Sequence, residues 1–290
     1  MSTHPAIHIR PATAADREQI IAVEAKSTPG LRYVPHVFEL FLNEKRGGFL
    51  VAEMGDEIVA CAKFTVVPDG SAWLETLRVI PERQGLGVGK RLYEEFFAIA
   101  RREEVTTMRM YTGTKNVVSK GLAARFGFQP AMTFYGAALA LDQTTVAGAG
   151  DTEALAFQPV TDPQAAAALM LPHREQWHDF LVMNRTFYKL SPALCAHLAQ
   201  TGQVFAEPVS GSVIVAGARF MPEQALHIGF VAGAVNRALA FARTLAEQRG
   251  IPRFSCLFPT GAELLNSTLR AQGLQVEAGE FIVMEWNKQR

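Results

Sequence analysis

The chain has 290 residues, with 28 lysines and arginines against 28 aspartates and glutamates, 49% hydrophobic and 19% charged. That balance leaves no basic footprint for nucleic acid or an anionic membrane, and the length allows two domains with cores of their own. Cys61, Cys195 and Cys256 are scattered and odd in number, which argues for reduced thiols rather than a disulfide framework or a zinc site. The opening MSTHPAIHIRPATAAD has no apolar core of a leader peptide, and no apolar run approaches the ~20 residues that span a bilayer. The expectation is a soluble, cytoplasmic protein.

AIHIR reads as a strand, Thr13 to Asp16 as a helix start, and REQIIAVEAK as the helix. GGFLVAEMG, EIVACAKFTVV and AWLETLRVI follow as strands. After PERQGLGVGKRL, the residues Leu92, Phe96, Ile99 and Ala100 recur at helical spacing, so one helix face is buried. TTMRMYTG is a strand, NVVSKGLAARFG a helix closed by Gly127, and AMTFYGAALAL a last strand. The stretch 142–153, DQTTVAGAGDTE, is small, polar and without period, and reads as a linker.

The second half repeats this order more loosely. LAFQPV reads as a strand, helical segments fill 162–202, and QVFAEPV, SVIVAGARF and ALHIGFV are strands. Ala238, Phe241, Ala242 and Leu245 mark a helix ending at Gly250, and RFSCLFP, GAELLNSTLRAQG and FIVMEW give strand, helix, strand. A tandem duplication is the economical reading. A meander followed by a strand–helix–strand crossover implies a mixed α/β sheet flanked by helices in each copy.

Strand, glycines, helix is the layout that offers unpaired backbone N–H groups and a positive dipole end to phosphate. A Walker A loop would need glycine at 84 and Ser or Thr at 91, where this chain has Gln84 and Arg91. A dinucleotide fingerprint would need glycine at 90 or 92, where it has Lys90 and Leu92. A bare Gly-x-Gly-x-Gly would be an ordinary connection.

Its surroundings are more specific. Gln84-x-x-Gly87-x-Gly89, preceded by Val79-x-Pro81-Glu82, resembles the acetyl-coenzyme A loop of the GNAT acetyltransferase superfamily. Asn116-x-x-Ser119-x-x-Leu122 ending in Gly127-Phe128, and Ile9-Arg10-Pro11-Ala12 followed by Asp16, resemble its later helix and its opening strand and turn. The likeness covers residues 6–141. It implies two tandem GNAT-like domains of α/β (α+β) class, each a mixed, mostly antiparallel sheet flanked by helices. These would be an N-terminal acetyltransferase domain, 1–141, the linker, and a degenerate C-terminal copy, 154–290.

The resemblance implies acetyl-CoA as co-substrate and a small-molecule or peptide amine as acceptor, by direct attack. The backbone of Leu77, Arg78 and Val79 would pair with the pantetheine arm where the fourth and fifth strands splay. The amides of Gln84, Gly85, Leu86, Gly87, Val88, Gly89 and Lys90 would hold the pyrophosphate, and Asn116 and Ser119 would lie near the pantetheine. Glu75 is the candidate base, read as sharing the strand face of Leu77 and Val79. The family's acid positions hold Trp73 and Ala123, the latter where many members have tyrosine, which leaves Tyr111 and Ser119 as stand-ins. The acceptor would be shaped by 27–41, 131–137 and parts of the second half.

No metal is expected, since His173 and His178 are five apart and share no helix face. The second half has no Gln-x-x-Gly-x-Gly, only the turn VAGAV, and Ala262 stands at the position of Asn116. A non-catalytic acyl-CoA sensor and a protein-interaction module are the alternative functions, and monomer or homodimer is left open.

Overall fold

The structure, a computed structural model, describes residues 6–28, 30, 32–141 and 156–288. The expected linker lies outside the described residues. The chain forms two compact units. One collects the residues up to 110, 117–129 and those from 284 on, and the other collects 111–116 and 130–283.

In the first unit β1 (Ile7–Pro11) pairs antiparallel with β2 (Gly47–Met54), and β2, β3 (Glu57–Val66) and β4 (Ala72–Val79) form a meander. Helix α1 (Arg17–Ser27) starts at a capping box in which the Asp16 carboxylate takes the Thr13 N–H at 2.7 Å. Arg10 grips the same carboxylate with two nitrogens, at 2.7 and 2.8 Å, which fixes β1 to the turn. Helix α3 (Val88–Arg102) crosses over to β5 (Thr107–Gly113), parallel to β4, and α4 (Val117–Arg125) follows. The α3 stripe read from the sequence, Leu92, Phe96, Ile99 and Ala100, is buried.

Helix α2 (Val34–Asn43) is an element that the sequence reading did not assign. Val34, Val37, Phe38 and Phe41 are buried at helical spacing, but the helix starts from Tyr33 with proline in its first turn and has no capping side chain. Packing on Phe49 holds it, with ring centroids of Phe38 and Phe41 at 5.8 and 5.6 Å.

The second unit contains β6 (Gln129–Ala140), β7 (Gln158–Pro159), α5 (Pro163–Met170), β8 (Phe180–Met183), β9 (Thr186–Lys189) and α6 (Pro192–Gln200). It continues with β10 (Val204–Ala206), β11 (Val213–Gly217), β12 (Leu226–Ala232), α7 (Val235–Gln248), β13 (Arg253–Pro259), α8 (Glu263–Ala271) and β14 (Gln275–Asn287). The expected all-helical stretch 162–202 is corrected here, because β8 and β9 form a hairpin within it. Its two-residue turn is Asn184-Arg185, both at positive φ, a turn that favours asparagine but gives arginine no sequence signature.

Sheet order in the second unit is β14-β6-β13-β12-β11-β10-β7. Strand β14 has residues 275–283 in that unit and 284–287 in the first, where they stand next to β5. The compact units therefore do not divide at 142. Strand β6, which the sequence places in the first half, is counted with the second. In the first unit the buried Arg109 guanidinium binds Asp69 at 3.0 Å, the Ser71 hydroxyl at 2.7 Å and Glu285 at 2.5 Å, anchoring the end of β14. Among the described residues no helix is long and apolar enough to cross a membrane.

Candidate active site

The three alternate glycines have different tasks. Gly85 and Gly87 take φ of +77° and +89°, the left-handed region that a side chain disfavours, and a Cβ at either would meet nothing within 4 Å. Gly89 lies in the first turn of α3, where a Cβ would stand 2.9 Å from Leu122 Cδ2 of α4. The first two let the chain turn into α3 with an open outer face, and the third lets α4 pack close.

Gly87 is the N-cap of α3, no side chain caps it, and the first turn holds no acidic residue. A helix start of this kind leaves N–H groups and a positive dipole end for an anion. The Gln84 side chain donates to the Val79 carbonyl at 3.0 Å, tying the loop back to the end of β4. That carbonyl keeps a second lone pair. The exposed Lys90 lies 3.7 Å from Glu94, which also holds Arg91 at 2.9 Å. Such a helix start suits an anionic group such as a phosphate.

Strands β4 and β5 pair only at Ala72↔Met108 and Trp73↔Arg109, so beyond Trp73 they part. Just past that point β4 carries a bulge. Glu75 lies opposite Lys63 of β3, but Arg78 lies opposite Cys61 and Val79 opposite Ala60, one residue out of register. Thr76 makes the shift at φ +57°.

The bulge corrects one expectation. Residues opposed across a ladder share a face, so Glu75 lies on the face of Arg78 and opposite that of Val79. Simple alternation fails because the extra residue flips the count. Glu75 is also buried, with its carboxylate accepting the Thr65 hydroxyl at 2.8 Å. Its cross-strand neighbour Lys63 is buried too, bonded to Glu44 at 2.6 Å and to the Phe41 carbonyl at 3.1 Å.

Sequence reasoning missed Tyr33, Thr76 and Glu24. Tyr33 Oη lies 2.5 Å from Thr76 Oγ1, and the buried Glu24 carboxylate accepts the N–H groups of Tyr33 and Val34 at 3.3 and 3.1 Å. Burial raises the Glu24 carboxyl above the ordinary glutamate range, against those N–H bonds and the charges of Arg78 and Arg32. None of the three sits in a motif, and a threonine inside a strand gives no sign of positive φ. Arg78, half-buried, has a buried Nε with no hydrogen-bond partner.

Ser119 is half-buried on α4, and Ala123 is fully buried there. Val117 and Val118, beside it in the first turn, are exposed apolar side chains. Asn116 is exposed, and its N–H donates to the Gly113 carbonyl at 2.9 Å. It groups with the second unit, as does Tyr111, whose ring packs at 5.8 Å from both Phe187 and Phe281. Among the described residues no cluster of three or more His, Cys, Asp or Glu side chains could hold a metal ion.

Residues 17–128 match the acetyltransferase (GNAT) family model. The likeness to the GNAT family is carried by that stretch of the first half. A GCN5-related N-acetyltransferase from Sphaerobacter thermophilus aligns at TM-score 0.66 and 16% identity, over 98% of this chain and 97% of that one. One from Kribbella flavida aligns at 0.55 and 16%, over 98% and 72%. A tandem GNAT protein from the clavulanic acid biosynthesis pathway aligns at 0.57 and 13%, over 98% and 99%. Such identities show the fold, two GNAT-like units in tandem. No curated protein matches the sequence. The family supports acyl transfer in general.

The second GNAT-like unit repeats the parting strands, since β12 and β13 pair only from Leu226↔Phe254 to Ile228↔Cys256. Its helix start differs. The Ser212 hydroxyl accepts the N–H of Ala234, the N-cap of α7, at 2.9 Å. Ser210 bridges Ser212 to the buried Glu207, which pairs with Arg237 in the first turn of α7. Gly229 faces the β8 hairpin closely, as a Cβ there would lie 3.1 Å from Leu181 Cδ2.

Proposed function

We propose that the first unit transfers an acetyl group from acetyl-CoA to a primary amine, of a small molecule or a peptide, by direct attack. The uncapped, acid-free start of α3 behind two left-handed glycines carries this reading. The amides of residues 84–90 hold the pyrophosphate, and the free edge of Leu77–Val79, where β4 leaves β5, pairs with the pantetheine. Ser119 flanks that arm, with Val117 and Val118 as apolar surface. Bound acetyl-CoA supplies a thioester carbonyl for the amine to attack.

Glu75 takes the proton from the acceptor ammonium. Its face need not be that of Val79, because backbone groups leave a strand along its edge while side chains leave above and below. The N–H groups near Val79 stabilise charge that develops on the carbonyl oxygen. Ala123 offers no proton to the departing sulfur, so no side chain is assigned that step. The buried Cys61, Cys195 and Cys256 are unpaired thiols, which fits a reducing cytoplasm.

Free-thiol release from acetyl-CoA with a panel of amines tests the reading. Amine-dependent release supports it. Tight CoA binding without release for any amine would leave a sensor, and no CoA binding would overturn the site.

A further inference from the structure

Thr76 is β-branched, buried and held at φ +57° inside a strand. A Cβ makes that conformation costly, and such strain persists only where the surroundings over-determine it. Two polar contacts reach Thr76 inside its buried position between the paired segments of the ladder. Tyr33 Oη lies 2.5 Å from Thr76 Oγ1, and the Thr76 carbonyl accepts Cys61 Sγ at 3.7 Å.

Tyr33 is itself fixed. Its N–H and that of Val34 bind the buried Glu24 carboxylate of α1, and its ring meets Phe41 edge-on at 6.3 Å. The hydroxyl therefore reaches Thr76 from a base anchored on α1 and α2. The bulge it contacts sets the register of Arg78 and Val79, at the place where β4 has already left β5.

We infer that Tyr33 is a positioning residue: its hydroxyl holds Thr76 in the left-handed conformation and so aims the backbone edge of Leu77–Val79 into the gap beside β4. The kinetic consequence rests on the acetyl-transfer reading, whereas the structural one does not.

The test uses the full chain with Tyr33→Phe, Thr76→Gly and the pair, since glycine adopts φ +57° without help. Tyr33→Phe should speed amide hydrogen exchange at Leu77–Val79 and lower kcat by roughly tenfold or more, as small misplacements near a reacting centre do. Affinity for CoA should fall less than kcat does, because the 84–90 loop is untouched and only the pantetheine edge is misaimed. In the Thr76→Gly background the added Tyr33→Phe should change exchange and kcat little. Wild-type exchange in Tyr33→Phe, or an equal loss in both backgrounds, would overturn the inference. If the wild-type chain acetylates no amine, the exchange arm still decides for or against Tyr33, and only the transfer reading falls.

Discussion

The indole nitrogen of Trp177 donates to the carbonyl of Val231 at 2.9 Å. Val231 stands near the end of β12, just before α7, as Leu77–Val79 stand at the end of β4 before α3. In the second unit an internal side chain thus takes a backbone acceptor at the end of the strand. The helix start is taken as well, by Ser212 on the Ala234 N–H and by Glu207 on Arg237. A carboxylate beside a helix N-terminus satisfies the same dipole that would attract phosphate.

Each chain should therefore bind a single CoA. Calorimetric titration of the full chain should give one site, and Gly87→Val should weaken it. Two equivalent sites, or a site whose affinity Gly87→Val leaves unchanged, would show that the second unit also binds.

The glycines should differ in what they tolerate. Valine at 87 is strained by φ +89°, and its branched side chain would crowd the amides that the proposed site turns to the pyrophosphate. CoA affinity should fall by about tenfold or more, at ~1.4 kcal/mol per tenfold. Gly89→Ala keeps an ordinary helical φ and meets only the far end of Leu122 at 2.9 Å, which can swing aside. Its affinity should stay within about threefold, well under that step. Equal losses at both positions would mean that packing on α4, not the left-handed turn, forms the site.

The Arg10–Asp16 pair should make the first unit sensitive to acid. The Arg10 hydrogen bonds, opposed by burial, hold the Asp16 carboxyl at about 2, against an ordinary 3.8. A depressed carboxylate stabilises the fold above the unfolded value, and that contribution is lost as pH falls from about 4 through about 2. Its size is about 1–2 kcal/mol once solvent screening through the part-exposed Arg10 is allowed for. Asp16→Asn should be less stable than wild type at neutral pH, and the difference should close below about pH 2. Urea titrations across that range would show it, and a gap independent of pH would assign the loss to the capping box alone.

What was legible in the sequence followed periodicity and glycine chemistry. The α3 stripe and the strand–glycine–helix layout at 85–89 are local, and local patterns survive folding. The bulge was hidden, because Thr76 is a good strand former whose φ is set by partners far along the chain. The strand exchange was hidden too: β6 and the end of β14 look like strands of their own halves, and which unit they join depends on pairing. One consequence is concrete. Cutting the chain within 142–153 would take β6 from between β14 and β13 in the second unit's sheet order.

Glu75 gives the most direct test of chemistry. Glu75→Gln keeps the shape and an oxygen that can accept the Thr65 hydroxyl, so the cluster with Lys63 and Glu44 should hold and the melting temperature should change little. What is removed is the capacity to take a proton. If Glu75 is the base, turnover should fall by about 10²-fold or more with CoA affinity nearly unchanged, and the acidic limb of the pH–rate profile should vanish. Glu75→Asp retains a carboxylate but shortens its reach, so it should keep that limb at reduced rate. A Gln variant with the wild-type rate at every pH would release Glu75 from the mechanism. Proton removal would then fall to water or to a group beyond β4, and the buried carboxylate would belong to the packing of α2.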